Sequence, residues 1–395
     1  MYSSSNNAFH QIPRYLPRMK YYDIGFNLSD PMFQGIYHGK KYHNSDIINI
    51  LQRAKDRQVK ITLLTGSSII ESKQVIDLKN SLKDKSPVKL YYTIGVHPCC
   101  VNEFVENLDI ENNNGSSTID NPSNDETYNY KLYDSLSTDR SFASMKLIEL
   151  YDLMSENLKD PDLRAIGEIG LDYDRFHYSC KELQLTFFEE QLKLACLLPN
   201  ETIPLFLHMR NCCDDFITIL KKFIDGFDDK EDRFNLRKII KHDKPIHYKL
   251  HPKKKFVVHS FTDSPKDLQN LLDLSDNCYI GMNGASFRLK ENIESVKVVP
   301  LKRLLLETDA PWCEIRRTHE ASNYLKDYVP LPYKSVKRDK LNKIPPEEWN
   351  NYMIKSRNEP CTMEQVAAVV ANIKEIPLTE VVNQVWENSC NVYGA

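Results

Sequence analysis

Four polar side chains in this chain stand at the ends of apolar runs: Glu168 in AIGEIGLDYD, His208 after PLFL, His259 after FVV and Asp309 after LLLET. A charge or imidazole released at the end of a buried run must be compensated where it emerges. One such residue is ordinarily a satisfied core polar group, whereas four in the same setting belong to one site. Imidazole and carboxylate are ordinary ligands of divalent metals, so the set points to metal ligation. Two carboxylates and two imidazoles hold one metal firmly, or share two if Glu168 bridges them. Either arrangement positions water, lowers its pKa and neutralises a phosphate oxygen, which favours phosphoester hydrolysis; an amide would use the same activation. Glu168 and Asp309 are then also the groups that orient the attacking water and accept its proton.

Weaker candidates surround these four. Asn27 ends the first strand, where its carbonyl could reach a metal or cap its own loop. His97, in GVHPCC, is placed to orient water or contact a phosphate, against a local hydrogen bond beside Pro98. Arg210, in HMRN, carries a fork suited to phosphate, or to an ion pair with a nearby carboxylate. Asp172 could fix a ligand imidazole from behind or pair with Arg210. Trp312, in DAPWC, either stacks on a base or anchors its loop.

Elements must gather these scattered residues. Short strand-like runs at Tyr22–Phe26, Lys60–Thr65, Tyr91–Val96, Arg164–Ile169, Pro204–Leu207, Phe256–Val258, Cys278–Gly281 and Arg303–Glu307 alternate with helical stretches. The helices are expected at 45–57, 70–82, 142–157, 181–198, 214–223, 265–274 and 289–297. Strands alternating with helices in this way predict an α/β fold, a TIM-type (β/α)8 barrel with surface insertions. The absence of GxGxxG after the first strand disfavours an open dinucleotide-binding sheet. Every candidate ligand falls at a strand C-terminus, the end where such barrels do chemistry. Two further helices, Thr362–Asn372 and Leu378–Asn388, with Thr362 and Thr379 as N-caps, should close the bottom or side.

We expect residues 1–20 to be a flexible arm, because Pro13 and Pro17 interrupt any presequence-like helix, and residues 21–395 to be one barrel domain. Three insertions interrupt it. Residues 107–139, rich in Asn, Ser and Asp, read as a surface loop of no catalytic consequence. Basic residues crowd 227–255 and 329–357. The first run leads into a strand and so starts from the far face; the second follows the last strand and is the candidate phosphate-facing rim, unless its lysines are simply solvated. A net charge of −3 argues against coating nucleic acid by bulk charge. Ten cysteines without a CxxC pair exclude a zinc ribbon and imply a reducing compartment, cytosol or nucleus. No run of eighteen apolar residues exists, so no membrane span is expected, and a monomer or weak oligomer is.

Together DIGFNLSDPMFQGIYHG, YTIGVHPCC, AIGEIGLDYDR, PLFLHMRN, VVHSF and LLLETDAPWC resemble the TatD family of metal-dependent deoxyribonucleases, over Tyr21 to Tyr393. The resemblance implies a TIM-type barrel and magnesium-stimulated DNA hydrolysis, 3′–5′ exonucleolytic and in some members endonucleolytic. It implies Glu168 as bridging carboxylate, His208 and His259 as ligands of one metal, and Asp309 as ligand of another. Bacterial members open with HxH on the first strand, where this chain has Gly25 and Asn27. A metal served by that position would keep Asn27, Glu168 and Asp309, a set poor in nitrogen that favours Mg2+, or Mn2+, over zinc, with one or two ions bound. The rivals are an amidohydrolase-like hydrolase of a small cyclic amide or ester, and a catalytically silent barrel that binds nucleic acid or protein.

Overall fold

Apolar runs too short for helices, each followed by an amphipathic stretch, form eight parallel strands among the described residues, 19–106, 126–241 and 244–395 of a computed structural model. They are β1 (Tyr21–Phe26), β2 (Val59–Leu64), β3 (Lys89–Ile94), β4 (Leu163–Asp172), β5 (Leu205–Arg210), β6 (Phe256–His259), β7 (Cys278–Met282) and β8 (Leu304–Leu306). Each strand hydrogen-bonds to the next in sequence. The ring closes where Phe26 bridges Ala310, with Asp309 N donating to Gly25 O and Asn27 N to Ala310 O, both at 2.9 Å. The expected (β/α)8 barrel is therefore the fold, and the strands fall within a few residues of their expected positions.

Alternation sorts the side chains into two cores. Tyr22, Ile24, Ile61, Leu63, Tyr91, Ala165, Phe206, Val257, Tyr279 and Leu305 pack as one cluster that fills the barrel. Their neighbours Leu64, Ile166, Leu205, Leu207, Val258, Leu304 and Leu306 belong to the larger cluster beneath the helices. The helix Leu378–Tyr393 brings Val392 and Tyr393 into the inner cluster, with the Tyr393 ring 6.2 Å from that of Tyr22, so it plugs the end opposite the strand C-termini. Pro377, not Thr379, occupies its N-cap, and the Thr362 hydroxyl bonds Asn358 and the Glu359 carbonyl rather than capping the helix Met363–Lys374.

One irregularity matters for the site. Ile166 pairs with Leu205 and Ile169 with Leu207, so β4 spends three steps where β5 spends two. This bulge keeps Ile166 and Ile169 both on the outer face and turns Glu168 inward. Only glycine fits beside it, since Gly167 has φ +148 and a Cβ there would collide with the Phe206 carbonyl oxygen.

The insertions are more ordered than their composition suggests. Of 107–139, residues 107–125 lie outside the described residues, as does most of the N-terminal arm. The remainder is not loop: Glu126–Thr138 is a helix whose Leu136 is buried. Its Asn129 side chain is also buried, donating to Phe176 O at 3.0 Å and accepting from Asn102 Nδ2 at 2.8 Å. It thus braces the loop that leaves β4. Within 227–255 an antiparallel pair, Phe227–Asp229 with Ile246–Tyr248, leads into the N-terminal end of β6. Within 329–357 a parallel pair, Lys334–Val336 with Tyr352–Ile354, follows β8 on the other face. No helix of the described residues is long and apolar enough to cross a membrane.

Candidate metal centre

Inward parity on β5 and β6 carries Phe206 on to His208 and Val257 on to His259, one strand apart and in register. The bulge on β4 places Glu168 against both. Its Oε1 lies 2.8 Å from His208 Nδ1 and 2.7 Å from His259 Nε2, and those two nitrogens are 3.3 Å apart. The opposite nitrogen of each ring faces a carboxylate: His208 Nε2 lies 3.1 Å from Asp172 Oδ2, and His259 Nδ1 lies 3.4 Å from Glu307 Oε1. A proton held on those outer nitrogens leaves His208 Nδ1 and His259 Nε2 with lone pairs toward Glu168, the arrangement in which imidazole ligates metal. The donor set fits a divalent cation.

His97 enters the same cluster, and donor atoms of His97, Glu168 and His208 all lie within 4.8 Å of one another. Its tautomer sets it apart. His97 Nδ1 accepts from Cys99 N at 3.0 Å, so the neutral ring carries its proton on Nε2, which lies 3.3 Å from Glu168 Oε1. That nitrogen is a donor, suited to a carboxylate or phosphate oxygen rather than to a cation. Burial depresses the His97 pKa, which favours this neutral form.

Charges follow the geometry. Burial would raise the pKa of Glu168, but His259 and His97 hold it well below the usual carboxylate range. Burial would lower His208, yet its hydrogen bonds to Asp172 and Glu168 push it up to about 9, and Glu168 with Glu307 pushes His259 well above its ordinary value. Asp172, against its own burial, is drawn down to about 2 by His208.

Asp309 leaves β8 at the closing seam. Asn27 Nδ2 donates to its Oδ1 at 2.9 Å, Thr65 Oγ1 donates to Asn27 Oδ1 at 2.5 Å, and Cys313 Sγ lies 3.2 Å from Asp309 Oδ2. The Asn27 amide therefore spans Thr65 and Asp309. Burial raises the Asp309 pKa to about 6. Arg210 stands at the end of β5, where its Nε pairs with Asp174 Oδ2 at 2.9 Å.

Glu307 escaped the sequence reading as a site residue. It is fully buried, accepting from Ser260 N at 2.6 Å and Asn283 Nδ2 at 3.1 Å. A Cβ on Gly25 would stand 2.8 Å from its Oε2, so a first-strand imidazole at position 25 and Glu307 compete for one space. Its signal was parity, since Leu305 faces inward and 307 is the next inward position.

The family described as TatD related DNase matches residues 23–394. The chain is 54% identical over 386 residues to a Saccharomyces cerevisiae protein named Deoxyribonuclease Tat-D, covering 95% of this chain and 91% of that one. It is 34% identical over 378 residues to a Schizosaccharomyces pombe protein of the same name, covering 96% and 97%. The crystal structure of a Saccharomyces cerevisiae protein described as an uncharacterized amidohydrolase superposes with TM-score 0.86 at 51% identity, over 95% of this chain and 100% of that one.

Proposed function

The chain belongs to the TatD-related DNase family and is a metal-dependent hydrolase, and from that premise we propose that it cleaves DNA phosphodiesters with Mg2+, or Mn2+, as a 3′–5′ exonuclease that also makes internal cuts. The observation that carries this reading is Glu168 Oε1 meeting His208 Nδ1 and His259 Nε2, each ring braced from behind by a carboxylate. Glu168, His208, His259 and Asp309 would hold the metal. A divalent cation bound there supplies Lewis acidity, easing ionisation of water and neutralising charge on the phosphate. Because the Asn27 amide is engaged by Thr65 and Asp309, the site favours one firmly held ion over two.

The protein groups divide the remaining work. Water attacks phosphorus, its proton passes to Asp309, the bond from phosphorus to the leaving sugar oxygen breaks, and that oxygen takes up a proton from solvent. Asp309 suits the task better than Glu168, which His259 holds ionised and which is therefore a poor proton acceptor. Asn27 fixes the Asp309 carboxylate, and the Nε2–H of His97 is placed to donate to a phosphate oxygen.

Purified protein incubated with linear single-stranded, linear duplex, 3′-blocked and closed circular DNA, with and without chelator, tests the proposal. Stepwise shortening from free 3′ ends, slower nicking of circles and loss of both with chelator are expected. Activity that survives both chelator and Glu168→Ala overturns the metal mechanism. Loss of nicking alone restricts the enzyme to the exonuclease mode.

A further inference from the structure

Beside Asp309, three segments that each leave a barrel strand at its C-terminal end enclose a cavity of about 500 Å3. Pro31–Gly39 follows β1, Pro311–Arg316 follows β8, and Lys337–Asp339 with Lys355–Ser356 comes from the insertion. The metal chemistry uses none of it, although two of its lining residues touch Asp309: Trp312 N donates to Asp309 O at 2.9 Å and Cys313 Sγ contacts the Asp309 carboxylate. Its volume is that of a pocket for one small ligand.

The lining combines an apolar floor with a cationic rim. Met32, Ile36 and Pro311 line the floor, and Trp312 is 41% exposed, an unusual degree for an indole. Arg316, Lys337, Arg338 and Lys355 supply the rim. Of its two acids, Asp339 pairs with Lys340 at 2.8 Å, and Glu314 lies 3.8 Å from the rim cation Arg316, which leaves four cations against two acids in the lining. Among the described residues no ion pair joins Lys337, Arg338 or Lys355 to a carboxylate. Arg338 is held in place by packing instead, its guanidinium 4.8 Å and 4.5 Å from the ring centroids of Tyr37 and Tyr42. Lys334, which the sequence grouped with these cations, lies over Tyr352 and is not part of the lining.

A partly exposed indole in a lining of net positive charge matches one class of partner, an unstacked nucleoside with its flanking phosphates. We infer that this cavity is a nucleotide subsite that takes one base of the substrate strand, stacked on Trp312, with the neighbouring phosphates on Lys337, Arg338 and Lys355. The inference rests on the nuclease reading for its substrate. It adds that a single-stranded flank is bound at residues other than the metal ligands, and that the insertion after β8 builds part of the binding surface. A base-paired nucleotide cannot present its face to Trp312 without leaving the stack, so the subsite discriminates for frayed or single-stranded ends.

The test uses the full chain and a short single-stranded oligothymidylate. In chelator, binding is followed by anisotropy and by quenching of tryptophan emission across a salt series. Trp312→Ala should weaken binding about tenfold and remove most of the quenching. Lys337→Ala with Lys355→Ala, both exposed side chains, should lower the salt slope by about 1.4, about 0.7 for each single-strand phosphate contact, and leave Arg338 packed. With metal added, Trp312→Ala should raise KM for the single strand about tenfold and narrow the preference for single-stranded over blunt duplex ends. Unchanged affinity, quenching and salt slope in these variants of a protein that cleaves DNA would overturn the subsite and leave the nuclease reading standing. Wild-type binding that is lost in the variants, from a protein that does not cleave, would do the reverse. A wild type that neither binds nor cleaves overturns both.

Discussion

At the scale of single residues the site is governed by where protons sit. His208 titrates at about 9 in the metal-free protein, so at neutral pH the nitrogen that would ligate a cation carries a proton. Metal must displace it, and apparent metal affinity should rise by about tenfold per pH unit below pH 9 for each proton released. Titration calorimetry in buffers of differing ionisation enthalpy measures that release, and an affinity flat with pH would remove His208 from the ligand set. Asp172→Asn loses the charge that fixes the His208 tautomer and should weaken metal about 10- to 100-fold with the fold intact, read from circular dichroism alongside the titration. Asp309 acts as a base only when ionised, so kcat should climb with pH as its carboxyl loses its proton and then level, burial raising that limb and a bound cation lowering it. Asp309→Asn should lower kcat by about 10²–10⁴ and abolish that limb, so a retained limb would assign it to another group. Glu168, His208 and His259, which the barrel brings together, were legible because each ends an apolar run in a polar side chain. Glu307 was not, for a physical reason: strands buried on both faces read as continuous apolar sequence, and LLLET does not display which of its residues point inward. The role of Asn27 was illegible for another reason, and spacing left His97 between a phosphate contact and a local hydrogen bond, since both depend on hydrogen bonds to Thr65 and to the Cys99 amide that spacing alone does not reveal.

At the scale of elements, the insertion after β8 needs an anchor if it is to present a binding surface, and a buried ion network provides one. Arg53, on the helix Ile47–Asp56, contacts Glu359 at 2.7 Å, and Arg357 contacts Asp46 at 2.6 Å and Glu359 at 3.0 Å, all four side chains being nearly inaccessible. Arg357 Nη1 also donates to Met32 O at 3.2 Å, which ties the network to the floor of the cavity. Two guanidinium and two carboxylate groups balance, so removing one charge strands another out of water. Glu359→Gln should destabilise the protein by about 3–5 kcal/mol in urea denaturation and weaken oligothymidylate binding with it. A change under about 1 kcal/mol would mean that solvent reaches the network, as it does exposed pairs. Strand positions were readable from apolar runs, and helices from their period. The helix Glu126–Thr138 was not, because a run of Asn, Ser and Asp just before it dominates the composition while Leu132 and Leu136 supply only a narrow apolar stripe. The β4 bulge was equally hidden: GEIG signals close backbone approach, but a register shift appears only when β5 is laid beside it.

At the scale of the whole molecule, barrel closure joins Asn27 to Asp309 across 282 residues of chain, and the seam that does this is sparsely laddered. Asp23 reinforces it from β1: its Oδ1 accepts from Thr308 N at 2.8 Å and its Oδ2 from Thr308 Oγ1 at 2.5 Å. Burial raises the Asp23 pKa from 3.8 to about 8, against those hydrogen bonds. Between roughly pH 4 and pH 8 the folded protein therefore holds a proton that the unfolded chain has released, so Asp23 makes stability fall as pH rises through that window. Glu168 acts oppositely, since its folded pKa is depressed and its contribution is lost as pH falls. Comparing two proteins that differ only at Asp23 separates the effects. Asp23→Asn keeps an oxygen for the Thr308 and Gly25 amides, and its amide can donate to a reoriented Thr308 hydroxyl, so the seam keeps its bonds without a charge to bury. In chelator, thermal unfolding of this variant should match the wild type near pH 4 and exceed it by a margin that grows to several degrees above pH 8. A margin independent of pH would show that Asp23 is ionised in the folded barrel and that the seam is wetter than its burial implies. Asp23→Ala should be less stable than wild type at every pH, because Thr308 N–H then loses its acceptor inside the protein.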